Sequence, residues 1–433
     1  MKPVKIGICG LGTVAGGTIN VLKRNAELIS GRAGCAIDIV QVGSRKLKDH
    51  VDLAGIDFTT NVLDVASNPE VDIVVELMGG YDTALEVVMT ALKNGKHVVT
   101  ANKALIAVHG NEIIELAQSK NLVVAFEAAV AGGIPIIKAI REGLSANAIS
   151  SVAGIINGTG NFILTEMREK GRDFADVLKE AQALGYAEAD PTFDVEGIDA
   201  AHKLTILASV AFGVPLQFDA AYTEGISKLS TVDIEHAGEL GYTVKHLGIC
   251  RLHPEGIELR VHPTLIPSDK LLASVNGVKN AVLVESDAVG QTLYYGAGAG
   301  AEATASAVIA DLVDVARVIN SSAHAAVPEL GFKPKHVKAL PVLPMEQVSS
   351  AYYLRVLAKD RPGVLAKVAS ILSDKGINIE SIMQRESEEH DGVIPMMLVT
   401  HVVCESAINS AIAEIESLAD ISGSVVRIRI EHF

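Results

Sequence analysis

Tryptophan is absent from the 433 residues and aromatics make up only 4% of them, so the core of this chain has to be aliphatic. Basic residues are in the minority. Lys and Arg number 37 against 52 Asp and Glu, giving a net charge of −15 and no basic run. That balance argues against nucleic acid or an anionic membrane as a partner. No apolar stretch is long enough to span a bilayer. No signal peptide is expected either, because Val4–Gly12 runs straight into a glycine turn. The four cysteines (Cys9, Cys35, Cys250 and Cys404) lie far apart with no C-x-x-C pair. Such usage fits reduced thiols in a cytoplasmic protein rather than a disulfide framework or a zinc site. What the chain does have is 49% hydrophobic residues and 38 glycines, the composition of a folded, multidomain protein with many tight turns.

Short β-branched runs alternate with helical stretches over the first 125 residues. Strands are predicted at Lys5–Cys9, Ile37–Val42, Asp72–Glu76, His97–Thr100 and Val123–Phe126, with helices at Ala84–Asn94 and Ala104–Lys120 between them. This βα alternation predicts a parallel sheet covered on both faces. From about Gly132 to Gly296 helices (Ile134–Gly143, Ala175–Leu184, Ile198–Phe212) mix with strands (Ser151–Ile156, Gly256–His262, Ala281–Ser286), which reads as an α+β unit. A long Ala-rich helix follows at Ala301–Asn320. Pro328, Pro334, Pro341 and Pro344 then mark a linker. Residues 350–433 show βαββαβ order, a ferredoxin-like plan. The expected division is an α/β fold with a Rossmann nucleotide-binding domain at 1–130 (completed by 297–340), a substrate-binding and dimerisation domain at 131–296, and a third domain at 350–433.

The first strand leads into Gly10-Leu11-Gly12-Thr13-Val14-Ala15, a G-x-G-x-x-A turn opening a helix. In that context the glycines let backbone approach a pyrophosphate at a helix N-terminus, where free N–H groups favour anions. Gly10, Gly12, Thr13 and Val14 are therefore expected at the cofactor. A carboxylate on the ribose usually follows the second strand of an NAD site, but here that strand ends in Gly43-Ser44-Arg45-Lys46. Arg45 and Lys46 would attract a 2′-phosphate, which favours NADP with NAD tolerated. A solvated basic loop is the plainer alternative. Ligands of open parallel sheets gather beyond the carboxyl ends of the strands. Two loops fall there, Met78-Gly79-Gly80, where Gly79 leaves room for a nicotinamide ring, and Ala101-Asn102-Lys103, which places Lys103 to reach the cleft unless it is an ordinary exposed lysine.

The densest cluster of charge is Gly185–Lys203, where Glu188, Asp190, Asp194, Glu196 and Asp199 precede one lysine. Asp199 and Lys203 are i,i+4 neighbours, which on a surface would be an ion pair worth about 0.3–0.5 kcal/mol. However, Leu204–Val214 holds no ionisable residue. A helix that apolar all round is buried, so its charged end must be buried or line a cleft. A partly desolvated lysine also loses affinity for its proton, which suits acid–base work.

Ala181–Lys203, with its D-P-x-x-D, G-x-D and closing Lys, resembles the signature of the homoserine dehydrogenase family. The Rossmann turn, E-L-M-G-G at 76–80, T-A-N-K at 100–103, E-A-A-V-A-G-G-I-P at 127–135, N-G-T-G-N at 157–161 and G-A-G-A-G at 296–300 are similar to the same family in the same order. The resemblance covers the whole chain, and 350–433, with Asp360–Leu365, resembles an ACT regulatory domain. It implies reversible NAD(P)H-dependent reduction of aspartate 4-semialdehyde to homoserine, in the biosynthesis of threonine, methionine and isoleucine. It implies Lys203 as proton donor and Lys103 as a second active-site lysine. Glu188, Asp194 and Asp199 would hold substrate, and Gly185 and Gly300 would contact cofactor. Glu127, Val130, Gly132 and Ile134 would form a monovalent-cation site, for sodium, built largely from backbone carbonyls. Threonine as feedback inhibitor and a homodimer or homotetramer are implied in the same way. Departures are small: Ala15 replaces a third glycine, and Gly160 and Phe162 stand where relatives carry other residues. Residue pattern alone leaves open how acid–base work divides between Lys103 and Lys203.

Two rival readings remain. Aspartate-semialdehyde dehydrogenase would need a cysteine nucleophile, and none of the four cysteines follows a suitable elbow. An amino-acid sensor with a vestigial dehydrogenase domain would lack turnover altogether.

Overall fold

The structure is a computed structural model that describes residues 2–48, 51–321, 327–384 and 392–433. Six parallel strands form the first sheet: β1 (Val4–Cys9), β2 (Ile37–Gly43), β3 (Asp57–Thr59), β4 (Ile73–Glu76), β5 (His97–Thr100) and β6 (Val124–Ala125). Their order is β3-β2-β1-β4-β5-β6, with every neighbouring pair parallel. The direction of strand order reverses beside β1, and this is the crevice where the doubly wound fold binds ligands. Helices α1 (Thr13–Arg24), α2 (Ala26–Ala33), α3 (Val62–Ser67), α4 (Asp82–Lys93) and α5 (Lys103–Ser119) connect the strands. The interior is aliphatic as composition requires, with Ile6, Ile8, Ile73, Val75, Val98 and Val99 fully buried.

Helix α1 packs unusually close to the distant helix Ala301–Asn320. A Cβ placed on Gly17 would stand only 2.4 Å from the Ala301 carbonyl oxygen. Val308, Leu312 and Ala316 of that distant helix share one core with β1 and α1. Gly17→Ala is therefore expected to destabilise despite the better helix propensity of alanine. Overpacking costs about 1–3 kcal/mol against a propensity gain near 1 kcal/mol, and a lowered urea midpoint would register it.

The middle of the chain supplies α6 (Ile136–Lys138), α7 (Gly158–Lys170), α8 (Phe174–Ala183), α9 (Thr192–Val195), α10 (Ile198–Phe212) and α11 (Thr231–Glu239). Its strands are β7 (Ile149–Ile155), β8 (Tyr222–Thr223), β9 (Tyr242–His253), β10 (Gly256–Pro267), β11 (Lys279–Ser286) and β12 (Gly290–Ala297). The helix expected over Ile134–Gly143 begins only at Ile136, after Pro135, and continues as a wider π turn over Ala139–Gly143. Strand β9 has no counterpart in the sequence reading, because Lys245 and His246 interrupt its apolar pattern. Both are buried nonetheless. The Lys245 ammonium is held by the Val275 carbonyl at 2.5 Å and Asn276 Oδ1 at 3.1 Å.

After α12 (Ala301–Asn320) come β13 (Ser349–Lys359), α13 (Val364–Asp374), β14 (Ile379–Gln384), β15 (Val393–Thr400), β16 (Val403–Cys404), α14 (Glu405–Glu416) and β17 (Val426–Ile430). The βαββαβ order is present, with the short β16 added. Its sheet is not separate. Strands run β12-β11-β7-β9-β10-β17-β13-β15-β14, so the C-terminal unit continues the middle sheet through parallel pairing of Thr264 with Arg429 and Leu265 with Ile430. Buried charge locks the seam. Arg260, 1% exposed, pairs with Glu431 at 2.6 Å and Glu258 at 2.8 Å. Arg429, also 1% exposed, reaches Glu224 and Glu405, each at 2.7 Å. The proline-marked segment lies against this hairpin, since a Cβ on Gly256 would meet the Pro341 carbonyl at 2.4 Å.

Candidate active site

Gly10 turns the chain out of β1 at φ +104°, and a Cβ there would press on the Leu77 carbonyl at 2.7 Å. No side chain caps α1 at Gly12, which leaves the N–H groups of its first turn to a ligand, and Gly10–Gly12 leading into it line a cavity of 610 Å³. Gly10, Gly12, Ser44, Arg45, Lys48, Asn61, Met78 and Gly79 are among the lining residues, with no carboxylate in the set. A helix N-terminus with two cations and no acid can hold a phosphorylated dinucleotide. Arg45 stands where expected. The chain bends at Arg45–Lys46, and Lys46 lies outside the lining while Lys48 enters it. Thr13 is exposed, and Val14 lines the neighbouring cavity instead.

That second cavity, 490 Å³, shares Leu77, Met78 and Gly79 with the first. Lys103, Glu188, Asp190, Phe193, Asp194 and Asp199 line it. Lys103 opens α5, directly after the Asn102 N-cap, whose Oδ1 accepts from the Leu105 amide. Asp199 sits in the first turn of α10, which starts after Gly197 in left-handed conformation. From there Asp199 joins both lysines. Its Oδ2 accepts from Lys203 Nζ at 2.6 Å, and its Oδ1 lies 2.9 Å from Lys103 Nζ. Lys203 also donates to the Ile156 carbonyl at 2.7 Å. Two of its three ammonium hydrogens are thereby engaged, and although the residue is not among those lining the cavity, its side chain keeps 11% exposure beside Asp199. The apolar remainder of α10 is buried through Ala211, as the composition of the helix required. Burying each of its Leu and Ile side chains contributes about 1.5–3 kcal/mol.

The environments of the two lysines differ. Asp199 is the chief influence on half-buried Lys103 and raises its pKa above the ordinary 10.5. Burial dominates at Lys203 and lowers its pKa from the same value in spite of Asp199. Asp199 itself stays ionised well below the usual carboxylate range, the two ammonium groups outweighing its burial. His202 does not compete for it, because burial pushes that imidazole down to about 4 and leaves it neutral.

Asn157, which the sequence reading did not single out, ties the acidic side together. Asn157 donates from Nδ2 to Asp194 at 2.7 Å and to Asp199 at 2.8 Å, while its Oδ1 accepts from the Gly160 amide to cap α7. An Asn ahead of a helical run is an N-cap signal, but the surrounding glycines read as a ligand loop and α7 was not expected.

The remaining expected residues are scattered. Glu188 is exposed at the cavity rim. Gly185 follows α8 and Gly300 precedes α12, both at positive φ, and neither lines the two cavities. Glu127 donates its own amide to Asp311, and its carboxylate accepts from the Ile137 and Lys138 amides at 2.9 and 2.8 Å. Val130, Gly132 and Ile134 lie in the buried loop that follows. Ala131 and Gly132 adopt left-handed φ of 54° and 43° in that loop. The cysteines are free. Burial raises the thiol pKa of Cys9 and pushes that of Cys250 up to about 12, so neither is a thiolate nucleophile.

Known proteins match this architecture unit by unit. The model of the homoserine dehydrogenase NAD-binding domain matches residues 10–127, that of homoserine dehydrogenase residues 135–313, and that of the ACT domain residues 352–420. A homoserine dehydrogenase of Pseudomonas aeruginosa is 67% identical over 431 residues, covering 100% of this chain and 99% of the relative. One from Neisseria gonorrhoeae is 54% identical over 439 residues, with 100% and 99% covered. The crystal structure of a homoserine dehydrogenase from Thiobacillus denitrificans superposes with a TM-score of 0.95 at 58% identity, covering 100% of this chain and 99% of that one. A hyperthermophilic archaeal homoserine dehydrogenase mutant, solved in complex with NADPH, is 26% identical with a TM-score of 0.62, covering 72% of this chain and 98% of that one. With its NAD-binding domain, its Asp199-bridged lysines and its C-terminal ACT domain, the chain belongs to the homoserine dehydrogenase family.

Proposed function

We propose that the chain reduces L-aspartate 4-semialdehyde reversibly to L-homoserine with NADPH, with Lys203 and Lys103 carrying the proton chemistry and the electrostatics around it. The observation that carries this reading is Asp199 bridging both ammonium groups beside a cavity that continues into the phosphate-binding crevice. When bound, NADPH supplies the hydride for the aldehyde carbon. Lys203, whose proton is loosened by burial, donates from its remaining N–H to the oxygen that gains charge. Lys103, held firmly charged by Asp199, draws that oxygen into place. Glu188, Asp194 and Asp199 hold the substrate's polar groups, and Asn157, donating to both Asp194 and Asp199, fixes those two carboxylates beside each other. The reading is tested by following NADPH absorbance with aspartate 4-semialdehyde. Steady oxidation is expected, and its absence would favour the vestigial-enzyme alternative.

Lack of an acid in the first cavity, together with Arg45 and Lys48, supports preference for NADP over NAD. Charge-assisted hydrogen bonds each contribute about 1.5–3 kcal/mol, so Arg45→Ala with Lys48→Ala should raise KM for NADPH by roughly tenfold or more and leave KM for NADH nearly unchanged. Gly185 and Gly300 would contact the cofactor in a more closed state. Carbonyls of Glu127, Val130, Gly132 and Ile134 would hold a monovalent cation, sodium by the family's example. The ACT unit would bind threonine as a feedback effector, and turnover unaffected by millimolar threonine would remove that claim. Units at 1–130 with 297–340, 131–296 and 350–433, a homodimeric or homotetrameric assembly and a cytoplasmic setting complete the reading.

A further inference from the structure

Glu76 ends β4 with its side chain wholly buried, and none of the chemistry above uses it. Its Oε1 accepts from the amides of Met78 at 2.8 Å and Gly79 at 3.3 Å, and its Oε2 accepts from the Thr100 hydroxyl at 2.6 Å. Thr100, directly opposite on β5, accepts in turn from the Asn102 amide at 2.9 Å. Asn102 closes the ring of bonds by donating from Nδ2 to the Gly80 carbonyl at 2.7 Å. A carboxylate buried without a cation beside it is costly. Burial raises the pKa of Glu76, and the donors on Thr100, Met78, Gly79 and Asn102 oppose that rise. Packing alone would be served as well by an apolar residue.

What the ring holds is a loop that would otherwise be loose. Gly79 and Gly80 adopt φ of 79° and 77° in succession, and glycines have much conformational freedom to lose. A Cβ on either would meet nothing within 4 Å, and both residues line the second cavity. The loop thus offers bare backbone to a flat ligand. Asn102, at the other end of the ring, caps the helix that begins with Lys103.

We propose that Glu76 is a positioning residue that pins Met78–Gly80 as the floor for the nicotinamide ring and, through Thr100 and Asn102, fixes that floor relative to Lys103. The proposal rests on the cofactor reading above. The nicotinamide ring and the Lys103 ammonium would then keep one spacing, which hydride transfer to a carbonyl whose oxygen that ammonium draws into place demands.

Three variants of the full chain test it, with NADPH affinity, affinity for 2′-phospho-ADP-ribose (which lacks the nicotinamide) and kcat as readouts. Glu76→Ala should weaken NADPH about tenfold and lower kcat by roughly ten- to a hundredfold, with 2′-phospho-ADP-ribose held within about twofold. Glu76→Gln, whose amide oxygen can still accept from Met78 and Gly79, should bring NADPH affinity back to within about threefold of wild type. Thr100→Val, which cuts only the arm toward Asn102, should lower kcat about tenfold while NADPH affinity stays near wild type. Equal weakening of NADPH and 2′-phospho-ADP-ribose by Glu76→Ala would overturn the proposal, as would wild-type turnover in that variant or no recovery in Glu76→Gln. Wild-type protein that bound 2′-phospho-ADP-ribose but not NADPH would overturn the cofactor reading and the clasp with it.

Discussion

Lys203→Ala is expected to lower kcat by about two to four orders of magnitude, the usual worth of a positioned general acid, while NADPH binding stays normal. The ammonium of Lys203 is committed to Asp199 and Ile156, neither of which lines the first cavity. Asp199 keeps Lys103 as a partner at 2.9 Å in this variant, so no buried carboxylate is left without compensation and the fold should survive. Stopped-flow measurement of hydride transfer checks the assignment. Near-normal turnover would take Lys203 out of the chemistry and leave Lys103, which does face the cavity, as proton donor.

A broader effect, on stability as well as turnover, is expected from Asp199→Asn. Here both lysines lose their shared counterion, and Lys203 is left charged at a buried site. Breaking a buried pair by removing one partner costs about 3–5 kcal/mol, and kcat should fall at least about a hundredfold as the two ammonium groups lose their placement. The loss of stability should depend on pH with a definite sign. Burial already lowers the Lys203 pKa from 10.5, and removing Asp199 takes away the charge that opposed it. The folded chain then gives up the Lys203 proton at lower pH than the unfolded chain, so stability rises as pH climbs from neutral toward 10.5. Urea unfolding at neutral and alkaline pH checks this. Equal destabilisation at both would show that the carboxylate matters for its hydrogen bonds and not for its charge.

Much of the site was legible because its determinants are local. The turn at Gly10–Gly12 needs only a strand before it and a helix after it. The burial of α10 follows from the lack of any ionisable residue between Leu204 and Val214. Spacing put Asp199 and Lys203 on one helix face, and they do meet at 2.6 Å. Less was legible where a polar residue finds its partner far along the chain. Lys245 and His246 disguised β9, because their partners at Val275 and Glu224 lie some distance away in sequence. Lys48 was overlooked in favour of Lys46 because a bend, invisible to periodicity, decides which of them faces the cavity. Asn157 was hidden by its glycine neighbours.

The same contrast holds for the whole molecule. Periodicity, glycine turns and the placement of charged residues determined by themselves that this chain forms a doubly wound sheet, a middle α+β unit and a βαββαβ unit, and they marked Lys103, Asp199 and Lys203 as candidates. Only the tertiary structure decided that Lys103 lines the cavity while Lys203 is held beside Asp199. It also decided that β17 joins β10 in one continuous sheet instead of hanging from a linker. The reason is physical. Backbone propensity and apolar spacing act over a few residues, whereas a buried charge is stable only beside its counterion. The counterions that settle the seam, Glu224 for Arg429 and Glu431 for Arg260, are brought there by the fold from the far side of the sequence.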